Sequence, residues 1–203
     1  MDAFAPVKAF ESALCAYTGA PYAVAVNSCT AALLLACMWR VRQGFRGPVS
    51  IPKRTYVGVA MSAANAGLRL TWRDESWSGS YELMPLNVWD SARWFTSGMY
   101  FPYPAGAIVC TSHHISKTLG DSQGGAILHD DPIADQWLRR ARFDGRSEGV
   151  APAEDTFVTL GQHCYMSPDV AARLTWRLSR LPSRNAPMPN DEYPDLSLAP
   201  AFR

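Results

Sequence analysis

Tyr22-Ala-Val-Ala-Val-Asn-Ser-Cys-Thr-Ala-Ala-Leu33 decides the fold class of this chain. Tyr22 to Val26 is short, apolar and uncharged, which reads as a strand buried on both faces. Asn27 to Thr30 is a small hydrogen-bonding turn, and Ala31 to Val41 continues as a buried helix. A strand that enters a helix through such a turn is the first half of a βαβ unit, and the flanking sequence keeps alternating in the same way.

Upstream, residues 6–18 place Val7, Phe10, Leu14 and Tyr17 on one helical face, and Gly19 and Pro21 stop that helix. Downstream come a strand at Val49–Ile51, a helix opening at Thr55-Tyr56 and running through Ala66, and a strand at Leu68–Trp72. Residues 73–82 are polar and turn-like. A strand over Leu83–Trp89 then ends at Asp90, and further strands follow at 107–110 and 125–128. A helix over 133–142 and a last one from Ser167 to Leu181 complete the pattern, the second with a Ser-Pro start suited to a helix N-terminus. The alternation predicts an α/β domain over residues 1–181 with a mostly parallel sheet flanked by helices. Residues 182–203 are proline-rich and read as a tail without regular structure.

Composition narrows the function classes. In 203 residues, 48% are hydrophobic and 18% charged, which describes a soluble globular chain long enough to bury a core. A net charge of +1 gives no electrostatic footprint for nucleic acid or a membrane surface, and no apolar run is long enough to span a bilayer. The five cysteines are odd in number and scattered, which fits reduced thiols in a cytoplasm rather than a disulfide framework.

Lys117 carries the sharpest chemical signal. It is one of three lysines beside sixteen arginines, and it sits in Cys110-Thr-Ser-His-His-Ile-Ser-Lys117, ahead of Gln123-Gly-Gly-Ala-Ile127. An amine condenses with an aldehyde and a guanidinium does not, so this lysine reads either as a Schiff-base residue or as an ordinary loop lysine. The turn before Ala31 reads either as an anion site at a helix N-terminus or as a plain cap. Asp90 ends a strand, where open α/β sheets place their ligands, or caps the next turn. Tyr56 stacks on a ring or joins the core. His113 and His114 are adjacent and point apart, with no third ligand to complete a metal site. Arg139, Arg140 and Arg142 read as the solvated end of a helix, or as a clamp for an anionic substrate.

Together these stretches resemble the DegT-like sugar aminotransferases, which are fold-type I pyridoxal-phosphate enzymes. Phe10-Glu-Ser-Ala-Leu-Cys-Ala-Tyr-Thr-Gly19 and the strand-turn-helix after it resemble the family opening. Ile51-Pro-Lys-Arg-Thr-Tyr-Val57, Trp89-Asp-Ser-Ala-Arg93, the Lys117 segment, the Gly-Gly turn and Gly161-Gln-His-Cys-Tyr-Met-Ser167 with Ala171-Ala172 follow in family order. The resemblance implies Lys117 as the Schiff-base lysine and Asp90 as the partner of the pyridine nitrogen. It implies Cys29, Thr30 and Ser112 at the phosphate, Tyr56 on the ring, and Arg93 near the phenolic oxygen or a substrate carboxylate. His163 stands at the position that reaches a neighbouring subunit's cofactor.

Departures from the family are equally plain. Cys29 replaces a glycine, Arg93 a glutamine and His163 an asparagine. The connection between Trp72 and Asp90 is short, and the family's second domain has no counterpart after Leu181. The resemblance implies a homodimer acting on a small amino or keto substrate, nucleotide-linked ones included. Transamination is the family default. Decarboxylation of an amino-acid-like or amino-acid-modified nucleotide substrate is the alternative, and a catalytically inactive cofactor-fold protein is another.

Overall fold

The computed structural model describes residues 2–189 and 192–202. Its elements are α1 (Ala5–Thr18), β1 (Tyr22–Val26), α2 (Cys29–Arg42), β2 (Val49–Pro52), α3 (Val57–Asn65), β3 (Leu70–Arg73), β4 (Tyr81–Leu83), β5 (Val88–Asp90), β6 (Ile108–Ser112), β7 (Gly125–His129), α4 (Pro132–Ala141) and α5 (Pro168–Leu178). The α/β class therefore holds, but the mostly parallel sheet does not. The main sheet has the order β1-β7-β6-β5-β4, in which only β5 and β6 run parallel. β2 and β3 form a separate parallel pair, tied to the β4 edge by reciprocal bonds between Ser50 and Met84.

The connections explain the difference. A parallel neighbour needs a crossover, usually a helix, and residues 113–124 between β6 and β7 form irregular turns instead. β7 consequently returns antiparallel. The expected strand over 83–89 is likewise split, because Pro85 cannot donate to a ladder and the chain reverses there into the β4–β5 hairpin.

Strand side chains alternate between two cores, one on each face of the sheet. Val24, Val26, Cys110 and Ile127 pack with α2, α3 and α4, while Ala23, Ala25, Val109 and Leu128 pack with α1 and α5. Burial on both faces is what made these strands continuous apolar runs. The tail is not detached. Tyr17 Oη donates to the Pro182 carbonyl at 2.6 Å, Leu196 is buried in the larger core, and residues 196–198 and 200–202 form single 3-10 turns.

The basic cluster at the end of α4 is a clear correction. Arg142 is fully buried, and both Arg139 and Arg142 bond to the buried Glu11 of α1. The partner lies more than 120 residues away, so no local window could reveal it. None of the helices among the described residues is long and apolar enough to cross a membrane.

Candidate functional site

The carboxyl ends of β1, β5 and β6 meet at one edge of the sheet. Val26 and Ser112 both pair with Gly125, and Asp90 pairs with Cys110 two residues back. A cavity of about 460 Å³ opens there. Of the residues expected at the site, Cys29, Thr30, Tyr56, Asp90, Arg93, Ser112 and Lys117 all line it. His163 does not. Its imidazole is largely exposed, with Nδ1 2.7 Å from Asp144 Oδ2.

The turn ahead of α2 forms one wall. Ser28 caps the helix by accepting from the Ala31 N–H at 3.1 Å, which leaves the helix N-terminus opening onto the cavity through Cys29 and Thr30. Two glycines let this turn sit where it does. A Cβ on Gly125 would collide with the backbone of Ser28 and Cys29, and one on Gly58 would lie 2.7 Å from Thr30 Oγ1. The Gly-Gly signal in the sequence thus marks a close backbone approach.

Asp90 forms the floor and is 5% exposed. Its Oδ1 accepts from the Ala92 N–H at 2.9 Å and faces the Cys29 thiol at 3.9 Å, while Oδ2 accepts from Tyr81 Oη at 2.9 Å. Because the Tyr81 hydrogen goes to Asp90, the 2.5 Å bond between Thr55 Oγ1 and Tyr81 is donated by Thr55. Burial raises the Asp90 carboxyl above its ordinary value. The Ala92 and Tyr81 bonds and the charges of Lys117 and Arg93 pull it back down. Burial also pushes the Cys29 thiol and the Tyr81 phenol well up, so both stay protonated and can donate.

Lys117 and Arg93 place two cations around this carboxylate, with Lys117 half-buried and Arg93 4% exposed. The two neighbouring histidines diverge. His113 is buried edge-on to Phe10 and Phe95, and burial drops its pKa to about 3. His114 lines the cavity, with Nδ1 3.0 Å from Ser116 Oγ.

Among the lining or supporting residues that escaped the sequence reading are Thr55, Trp77, Tyr81 and Tyr193. Tyr81 lay in a stretch that looked turn-like, and Tyr193 in a tail with no periodic signal.

Comparison with known proteins agrees with the fold. Residues 4–75 match the DegT/DnrJ/EryC1/StrS aminotransferase family, so the resemblance read from the sequence is borne out over that stretch. Among solved structures, the sugar aminotransferase CalS13 from Micromonospora echinospora superposes with a TM-score of 0.71 at 20% identity, covering 87% of this chain and 61% of its own. AtS13 from Actinomadura melliaura gives 0.69 at 18% identity, covering 86% and 59%. Helicobacter pylori PseC, an aminotransferase involved in the biosynthesis of pseudoaminic acid, gives 0.68 at 17%, covering 87% and 58%. The chain therefore spans about three-fifths of the length of the structures it matches. A search of curated protein sequences finds no match.

Proposed function

We propose that this chain is a pyridoxal-phosphate-dependent enzyme of aminotransferase ancestry acting on an amino or keto substrate. The observation that carries the reading is the convergence of a lysine amine, a buried carboxylate and an open helix N-terminus on one cavity. These residues fit the cofactor by their chemistry. The α2 N-terminus with Thr30 and Ser112 suits a phosphate dianion, and Gly125 keeps the cradle free of a side chain. Asp90 Oδ2 has one bond, from Tyr81, and retains capacity for a ring N–H. Tyr56 lies at the cavity wall for the ring face.

When bound, pyridoxal phosphate supplies an electron sink for a carbanion at the substrate carbon. The chain does the rest. Lys117 Nζ would hold the cofactor covalently and would serve as the general base for the proton at the substrate carbon. Asp90 keeps a proton on the ring nitrogen by remaining an anion, and the Thr55–Tyr81–Asp90 chain of donors supports that charge. Arg93 presents a fixed cation suited to a substrate carboxylate or to the phenolic oxygen of the cofactor.

The direct test is uptake of added pyridoxal phosphate, read as visible absorbance that shifts when amino donors are supplied. A protein that stays colourless rejects the reading. Scoring the same donors for amine transfer against carbon dioxide release separates transamination from decarboxylation of an amino-acid-like substrate.

The active unit is proposed to be a homodimer. Phe157, Val158 and Leu160 are exposed in the loop ahead of His163, an apolar surface suited to a second copy. Sedimentation of a monomer that holds cofactor tightly would contradict it.

Asp90 also yields a pH-dependent expectation. A folded-state pKa above the ordinary 3.8 means that the carboxylate's cost is absent below that value and grows as pH rises through the folded one. Asp90→Asn keeps the shape and removes the buried charge. The cofactor-free variant should therefore melt at a higher temperature than wild type at pH 7, with the gain shrinking toward pH ~4, while its pyridoxal phosphate uptake weakens. Thermal unfolding across pH measures this, and a lowered melting temperature at pH 7 would refute it.

A further inference from the structure

The C-terminal segment is pinned across one side of the cavity. Met188 N donates to the Arg93 carbonyl at 2.7 Å, and Leu196 N donates to the Lys53 carbonyl at 2.9 Å. Asp195 pairs with Lys53 Nζ at 3.1 Å, and Leu196 is 3% exposed. Pro187 rides on Gly79, whose φ of +70° and open Cα face allow the approach. A Cβ there would lie 3.0 Å from the proline ring. The segment's anchors are therefore Arg93, three residues past the end of β5, and Lys53, the residue after β2.

Between those anchors, Tyr193 lines the cavity. Its ring is nearly parallel to that of Trp77, with centroids 6.4 Å apart and an interplanar angle of 10°. Trp77 is itself fixed. Its Nε1 donates to the Arg54 carbonyl at 2.9 Å, and its ring tilts against Tyr81 at 4.6 Å. Two held aromatic faces, one from the connection between β3 and β4 and one from the tail, thus line the cavity with Asp90 and Arg93. Met188 and Leu196 anchor the tail on either side of Tyr193, which lines the cavity.

We propose that Trp77 and Tyr193 form the aromatic wall of the substrate subsite, and that Tyr193 selects amines carrying a planar ring close to the reacting nitrogen. The proposal rests on the cofactor reading above. A planar ring gains an offset-stacking contact on a pre-positioned aromatic face at little ordering cost, whereas a ringless amine of the same reacting group gains nothing there. The ring can belong to an aromatic amino acid or to a nucleobase, since both offer the same flat face.

The test titrates pyridoxal-phosphate-loaded protein, full chain, with two ring-bearing amines and their ringless counterparts: L-phenylalanine against L-alanine, and 5-(aminomethyl)uridine against ethanolamine. The shift of the cofactor absorbance gives each apparent affinity. Wild type is expected to favour the ring in at least one pair, and the pair that shows it identifies the source of the ring. Tyr193→Ala should lower that preference about tenfold, and Tyr193→Phe should keep it. A coloured wild type with no preference in either pair, or a preference unchanged in Tyr193→Ala, overturns this assignment alone. A wild type that takes up no cofactor overturns the cofactor reading and this assignment with it.

Discussion

Lys117→Ala should take up no covalent pyridoxal phosphate, show no visible band and lose amine transfer by roughly 10³-fold, the scale of a positioned general base. The expectation is specific because the alternative amines lie elsewhere. Lys8 pairs with Asp2 at 2.8 Å on the surface, Lys53 is held by Asp74 and Asp195, and neither lines the cavity. Lys117→Arg separates charge from nucleophilicity. It keeps a cation beside Asp90 yet cannot condense with an aldehyde, so it should be as colourless as the alanine variant. Lys8→Ala removes only an exposed ion pair, of little energetic weight, and serves as the coloured control. Borohydride reduction followed by peptide mass mapping should place the adduct on the peptide containing Lys117. A Lys117→Ala protein that still colours and reduces onto another peptide would reject the assignment.

What the sequence revealed and what it hid divide along the range of the interactions concerned. α1, β1 and α2 were legible because helix and strand periods are local, and Gly19 and Pro21 mark the break between them. Asp90 and the turn at Ser28 were legible as candidates because each sits at the end of a strand, where a side chain reaches the sheet edge, and Lys117 because it is one of three lysines and leads into the Gly-Gly turn before β7. Strand direction was not legible. Whether β7 runs parallel or antiparallel depends on whether the chain between Ser112 and Gly125 builds a crossover helix, and that segment instead folds into irregular turns. Tyr81 and Trp77 were hidden for a different reason. Polar neighbours in residues 73–82 masked a strand of only three residues, whose stability comes from its Asp90 and Val88 partners rather than from its own composition. Tyr193 reaches the cavity only because its flanks dock on Arg93 and Lys53, contacts that cross more than 90 residues of sequence.

The same long-range logic governs the largest stability effect expected in the chain. Glu11→Ala should destabilise the protein by about 3 kcal/mol, because it leaves a buried guanidinium short of its counter-charge. Glu11 is 4% exposed, and its two oxygens serve three donors: Arg142 and the Ala25 N–H on Oε1, the latter at 2.9 Å, and Arg139 on Oε2 at 2.6 Å. Arg142 retains Glu148 at 2.7 Å and the Ala25 carbonyl at 2.7 Å, and Arg139 retains Asp135 at 2.8 Å. Those remaining partners hold the cost to the lower end of the range for a broken buried pair. For a chain of this size the loss corresponds to a melting temperature about 10 °C lower. The pair should also be non-additive: Glu11→Ala combined with Arg142→Met should cost less than the two single changes summed, since the second removes the charge that the first orphans. The site would feel this change as well. Ala25 lies one residue from the end of β1, which delivers the Ser28 turn to the cavity, so Glu11→Ala should weaken pyridoxal phosphate uptake without touching any residue that lines the site. A melting temperature within about 2 °C of wild type would show that Arg142 finds adequate compensation from Glu148 alone, and that the network trims the packing of α1 against β1 rather than holding it.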